Sequence, residues 1–552
     1  MYRKNEGHLQ PPVISTVTQL PEKQRQRLKD SWAGVFYQEF FCRLKEEPFA
    51  VLYGTTPSRP NVPVNVLVGL ETLKSGFGWS DEELHDAFTY NLQVRFALGY
   101  QALGEGDFEL RTLYNFRRRL SQYNQAHGVN LLAQALVNLT DQQLQALQLR
   151  TGQQRMDSTQ IASNILGASR LHLLVEALQR LWRQLSEADR ARYQAEFSPY
   201  IEHRSGQYVY RLKGAAATLE QLKLIGPMLH HLLEVLAGDY AADPVYQVCQ
   251  RVWADNFTFQ EDAVEPKDNA DISADCLQSL DDQEATYRLK GGHGYKGYVV
   301  NLTETCDPAN PLQLITNVQV APNNTEDAAL LATAVPALKA RMALDTLHTD
   351  GAYPSPAGDD VLQAAQVDQI QTAMRGKAPD PEHFALADFN FQIDSAGVPQ
   401  RLTCPAGQIG TIRARGQVGG EWVADFQAAP CLACPFHQSG RCRAKPGKRD
   451  PRFHLEFNPA EVRTARRRQA CQAQKSAPLN LRVAIEAIMR VIKLPFPAGK
   501  LPVRGLFRVT SMIIGSAAMV NIRSIYRYLS RKCRPDPDRR QNAVATPAQL
   551  TP

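Results

Sequence analysis

Long apolar runs are missing from this 552-residue chain. Nowhere do the eighteen or so consecutive apolar residues of a membrane-spanning helix occur, so no membrane partner is expected. No apolar signal segment stands at its beginning either, and a cytoplasmic protein is the expectation. Cysteine is sparse: ten residues, scattered, do not make the dense framework of a small disulfide-stapled domain. They are expected to be reduced thiols or metal ligands. Acidic residues are scarce in one region only. From Arg441 to Arg540 there are 24 Lys and Arg against 6 Asp and Glu, although the whole chain carries just +6. The remainder is therefore net acidic, and a polyanion is the partner that the basic region would meet. Hydrophobic residues at 43% and charged ones at 21% describe a globular chain, long enough for two to four structural units.

What is present divides the chain. Residues 1–25 are polar and Pro-bearing, a flexible lead-in. Residues 26–145 read as helical. Ser80 and Glu83 have capping-box spacing, with Trp79 and Leu84 placed for a hydrophobic staple. A second helix start at Thr112 leads into a basic patch, Arg117, Arg118 and Arg119, expected to contact DNA; a plain bundle with solvated arginines is the alternative. After residue 146 an α/β core is expected to run to about 400, interrupted by a helical insert over about 167–285. Strands are expected at Tyr295–Leu302 and Leu312–Val320, followed by a helix capped within Asn324–Asp327, with Asp327 as a helix-start residue. Residues 401–450 are Pro- and Gly-rich and hold Cys404, Cys431, Cys434 and Cys442. The Cys431-x-x-Cys434 knuckle suits a structural zinc ribbon, with unliganded thiols as the alternative. Residues 451–534 return to the core with basic helices, and 535–552 are too poor in apolar residues to fold.

Three carboxylates stand out. Asp157 lies in Arg155-Met156-Asp157-Ser158-Thr159, a short strand-like run. Asp350 ends the β-prone Thr346–Thr349 stretch and is followed at once by Gly351. Glu486 sits on an amphipathic helix over 481–493, where Val483, Ala484, Ala487, Ile488 and Val491 make the expected apolar stripe. Arg482, Glu486, Arg490 and Lys493 share the other face. Two aspartates and a glutamate at element ends are the hard-oxygen donors of a two-metal site.

These same residues resemble the DDE transposases of bacterial insertion sequences, in particular the group numbered eleven-eighty-two and its relatives of the IS-four and IS-five types. The resemblance rests on Asp157 in its Met-Asp-Ser setting, Asp350 with Gly351 and Tyr353, and Glu486 with Arg482 and Lys493; it extends to the helical stretch from Ser58 to Leu120. It departs at Leu479, where the family often has tyrosine. It implies a ribonuclease H-like catalytic core that holds two Mg²⁺, or Mn²⁺, on Asp157, Asp350 and Glu486. It also implies DNA cleavage and strand transfer, with Arg482, Lys493 and Arg490 near phosphates. Double-stranded DNA, a homodimer in the DNA complex and a nucleoid-associated location follow from it. A nuclease of the same fold, or a DNA-binding regulator with an inert triad, are the alternatives.

Overall fold

The structure is a computed structural model, and it describes residues 1–532 apart from 11, 55, 57–59, 213, 261–262, 377, 395–397, 416–420, 449 and 476–479. The expected tail at 535–552 and the Leu479 departure lie outside the described residues. The chain is mixed α/β. No helix among the described residues is long and apolar enough to cross a membrane.

The N-terminal part is helical: α1 (Val64–Phe77), α2 (Asp81–Tyr90), α3 (Leu110–His127) and α4 (Leu131–Ala146). The capping box is formed, with Ser80 Oγ accepting from the Glu83 amide and the Glu83 carboxylate from the Ser80 amide. Helix α3 begins two residues before Thr112, at Leu110, because Glu109 already adopts the extended conformation that precedes a helix.

Strand β1 (Gln153–Ile161) is the centre of a six-stranded sheet. An insert follows, with α5 (Arg170–Gln184), α6 (Gly214–Tyr240) and α7 (Pro244–Asn256) around a separate apolar core. Then come β2 (Thr286–Lys290), β3 (His293–Thr305), β4 (Ile315–Pro322), helix α8 (Asp327–Arg341), β5 (Thr346–Thr349), α9 (Pro356–Ala365) and β6 (Asp368–Gln371). β3 is antiparallel to both β1 and β4, whereas β5 is parallel to β1 and β6 to β5. The order across the sheet is thus β4-β3-β1-β5-β6, with β2 pairing the first half of β3. Both expected central strands exist; the first is longer than expected and the second begins at Ile315.

The helix after β4 starts at Asp327 with its N-cap inside Asn324–Asp327, as expected. The cap residue is Glu326, whose side chain makes no cap bond among the described residues, and Asn324 pairs with Thr286. Asp327 is buried in the first turn, where its carboxylate accepts from Ser158 Oγ at 2.8 Å.

Residues 390–457 form a second sheet, wider than the expected 401–450 segment. All of its pairings are antiparallel, over β7 (Asn390–Ile393), β8 (Pro399–Thr403), β9 (Ile409–Arg415), β10 (Glu421–Phe426), β11 (Lys445–Pro446) and β12 (Phe453–Phe457). Helix α10 (Pro459–Lys475) leads back to the core and to α11 (Ala484–Lys493) and α12 (Leu506–Lys532).

α12, about 40 Å long at 1.5 Å per residue, joins the two ends of the chain. It crosses α1 so closely that a Cβ on Gly515 would lie 2.7 Å from Ser75 Oγ, and one on Gly76 would lie 2.3 Å from Met519 Cγ. Glycines at both faces let the helix backbones approach where any side chain would separate them. Phe36, Leu70, Leu73, Met156, Leu302, Leu347, Ile485 and Ile513 consequently share one continuous core.

Candidate active site

β1 and β5 place the two aspartates. Their parallel register pairs Arg155 with His348, and two residues further on Asp157 comes level with Asp350, just past the end of β5. Side chains two apart point to the same face, so the pairing delivers both carboxylates together. Met156, between Arg155 and Asp157, points the opposite way into the core and is fully buried. Asp350 Oδ1 accepts from the Ala352 amide at 2.8 Å, fixing the turn. Gly351 is needed there for space: a Cβ would lie 2.6 Å from the Ala373 carbonyl oxygen.

Helix α11 brings the third carboxylate, rotated from the expected orientation. Its buried residues are Ile485, Met489 and Ile492; Val483, Ala484 and Ala487 are exposed. The three core residues still recur at helical spacing, and larger side chains than the alanines take the contact with the core. Arg482 and Lys493 nonetheless turn toward β1. Arg482 Nη1 donates to Asp157 Oδ2 at 3.0 Å and its Nη2 donates to the Glu486 carboxylate. Lys493 Nζ donates to Thr159 Oγ1 at 2.5 Å. Arg490, in the same row, is exposed.

Beneath this face lies a buried pair that sequence reading missed. Arg155 Nε donates to Glu304 Oε2 at 2.7 Å across the β1–β3 pairing, and Arg155 Nη1 donates to the Leu481 carbonyl at 2.8 Å. One guanidinium thus ties the sheet to the start of the Glu486 segment. His348 beside it is buried, and neither ring nitrogen meets a hydrogen-bond partner among the described residues. Burial, then the Arg155 charge, lowers its pKa and keeps it neutral.

The electrostatics of the face are one-sided. Burial pushes Asp157 up to about 6; the Arg482 guanidinium and the Ser158 amide oppose this, and the Asp350 and Glu486 carboxylates add to it. Asp157 and Glu486 thus share the one Arg482 guanidinium, with the Asp350 carboxylate near enough to be felt at Asp157. Their hard oxygens are the right donors for Mg²⁺ or Mn²⁺. Among the described residues, however, no three His, Cys, Asp or Glu side chains are already drawn together around one metal position. Arg482 stands between Asp157 and Glu486, and the Glu486 side chain is 56% exposed.

The four expected zinc ligands are gathered at one end of the second sheet. Burial first, then the Cys404, Cys442 and Cys434 thiols, push Cys431 up to about 11. The knuckle turn is present, with the Cys434 amide donating to the Cys431 carbonyl. These thiols, too, are not closed around a common point.

The expected basic patch on α3 divides. Arg117 is spent inside the protein, on Glu71 Oε1 at 2.7 Å and on Asp81 at 2.7 and 2.9 Å. Arg119 lies over the Tyr53 ring at 5.0 Å, and Arg118 is exposed. Arg117 is thus an internal ion-pair centre and not a surface cation.

Compared with protein-family models, with curated proteins and with solved structures, the chain has no match in any of the three.

Proposed function

We propose that the chain is a DDE-type DNA transposase with a ribonuclease H-like core, cutting DNA at element ends and joining the freed 3′-OH to a target. The observation that carries this reading is the meeting of Asp157, Asp350 and Glu486 on one face, from stretches more than a hundred residues apart. The sheet order supports it: three antiparallel strands, β4-β3-β1, continued by two parallel ones, β5 and β6, with Asp157 at the middle of β1 and Asp350 just past the end of the neighbouring β5.

Two Mg²⁺ or Mn²⁺ ions held by these carboxylates would supply activation of the attacking oxygen and stabilisation of the leaving 3′-oxygen. The chain's own residues do the rest. Asp157 and Asp350 are fixed by strand pairing and an Asp turn, and Glu486 is free enough at its tip to close on them. Arg482, released from the acids when cations replace it, is placed to hold a phosphate oxygen. Arg155 holds the Glu486 segment against the sheet.

Asp157→Asn, Asp350→Asn and Glu486→Gln should each lower Mg²⁺-dependent strand cleavage by at least about 10³-fold, since even one transition-state contact is worth about 10²–10³. Binding to DNA ends should persist in all three, because affinity comes mostly from basic groups elsewhere. Cleavage surviving in Glu486→Gln would remove the triad. For the cysteines we read a structural Zn²⁺: elemental analysis should find about one zinc per chain, lost in Cys431→Ser. Because the Cys431 thiol is pushed up, zinc uptake should release protons and weaken as pH falls. Zinc-free protein purified without chelators would end that reading.

A further inference from the structure

On both sides of Glu486 the basic residues follow β1 and the residues after it. Arg482 stands at Asp157 and Lys493 at Thr159. Lys500 bridges to Ala162 and donates to the Ile165 carbonyl at 2.9 Å. Arg504 donates to the Asn164 carbonyl at 2.5 Å, and the Asn164 amide donates to the Val503 carbonyl. Four cations from one segment are thus laid out beside residues 157–165 of another. That is a row of at most about 26 Å at 3.3 Å per residue. Lys493 and Lys500 bond to a hydroxyl and a carbonyl, which orient a positive charge without neutralising it. Arg504 alone among these last three faces an acid, Asp281 at 2.9 Å, and Glu284 caps the Leu506 amide nearby.

The row ends at a cavity of about 540 Å³ between α3, α1 and the start of α12. Its floor is charge-balanced, with Lys74 and Arg117 against Glu71 and Asp81. Two further cations line it, Arg118 from α3 and Arg508 from α12, both exposed and with no carboxylate paired to either among the described residues. Tyr114 and Phe507 supply apolar wall. A balanced floor beneath two unpaired guanidiniums leaves positive potential where a ligand would enter. The length of the row exceeds any small anion and fits several successive phosphates of one DNA strand.

We propose that the DNA backbone leaving the carboxylate face runs along the end of β1 and the 162–165 stretch after it, over Lys493, Lys500 and Arg504. One phosphate is then seated between Arg118 and Arg508 at the cavity. This track rests on the transposase reading for its partner and adds a second, non-catalytic anchor formed jointly by the N-terminal helices and α12. It explains why those helices share a core with the catalytic sheet.

The test is fluorescence anisotropy of a fluorescein-labelled 20-base-pair duplex over a salt titration. Full-length Arg118→Glu/Arg508→Glu should bind at least tenfold more weakly than wild type, and the slope of log K against log salt should fall by about 0.9 for the one phosphate the pair holds. Arg118→Gln/Arg508→Gln should show a smaller loss in affinity. The control Arg183→Glu/Arg211→Glu makes the same charge change on the exposed face of the helical insert and should change affinity less than twofold. An unchanged Arg118/Arg508 double variant, or a control that loses as much, would overturn the track and leave the catalytic reading standing. Wild-type protein that binds no duplex even at low salt would overturn both. Thermal melting should show both double variants folded as wild type, since all four side chains are exposed.

Discussion

Arg117 and Arg482 each stand between two carboxylates, and the clusters around them behave in opposite ways. At Arg117 a second cation, Lys74, joins Glu71 and Asp81, so charges balance. Although burial works against it, Asp81 is held down to about 2 by Arg117 and Lys74. At Arg482 one guanidinium faces Asp157, Glu486 and, close by, Asp350. Burial and the two neighbouring acids push Asp157 up to about 6. The ingredients are the same; the difference is the surplus of negative charge. A balanced cluster is a strut between α1, α2 and α3. An under-compensated one is unstable by itself and stabilised by whatever cation arrives.

The sharpest way to break this contrast is to remove each arginine. Arg117→Met leaves two acids with a single lysine in a mostly buried setting and should cost about 2–4 kcal/mol of stability. Millimolar Mg²⁺ should not restore it. Arg482→Met should lower the thermal midpoint less, and Mg²⁺ should raise that midpoint above the metal-free value, because a ligand that binds only the folded state stabilises it. An Arg482→Met protein whose melting ignores Mg²⁺ would make the two clusters alike.

Their pH dependence should also run in opposite directions. Between about pH 4 and 6 folded Asp157 keeps a proton that the unfolded chain has released, so its contribution to stability falls as pH rises through that window. Above it the penalty is complete. Asp157→Asn in metal-free protein should therefore raise stability at pH 7.5 by about 1–2 kcal/mol. Asp81 is the reverse case: its folded pKa lies below the unfolded one, so its contribution is present above about pH 4 and disappears as pH falls toward 2. Asp81→Asn should cost about 1 kcal/mol at pH 7.5, after allowance for solvent screening. Melting curves from pH 3 to 8 for wild type and both variants decide; parallel curves would refute the distinction.

The two clusters also differed in how far they could be read from sequence. Asp157 and Asp350 stood out because one lies in a short strand-like run and the other ends one, and the Arg482–Glu486 pair is a local i, i+4 contact. Arg117 looked like a surface cation because its partners lie 46 and 36 residues away, on other helices. Nothing near it in the chain announces them. Arg155 with Glu304 was hidden for the same reason, at 149 residues. The apolar stripe of α11 was misplaced for a different one: its ten residues offer two overlapping helical spacings. Only the approach of β1 and α12 decides that Ile485, Met489 and Ile492 go inside. The second sheet was missed around the cysteines because its strands are short and interrupted by Pro and Gly, which read as loop.

The smallest expected effects separate strut from site within α11 itself. Arg490 is exposed, whereas Lys493 is half-buried, its pKa lowered by burial and then by Lys290, and its ammonium donates to Thr159. Arg490→Gln should shift stability by no more than about 0.5 kcal/mol, as surface changes do. Lys493→Gln should cost about 1 kcal/mol through the lost hydrogen bond. On DNA the ranking should be the same, for a different reason. Each variant that removes a phosphate contact lowers the salt slope by about 0.9, and Lys493, fixed beside Asp157's strand and near a second lysine, is the better placed to make one. Two lysines held close without an acid between them are costly unless an anion is due there. If Lys493→Gln lowers stability but leaves the salt slope at the wild-type value, Lys493 belongs with Arg117 among the struts, and the surplus of charge at this site is negative only.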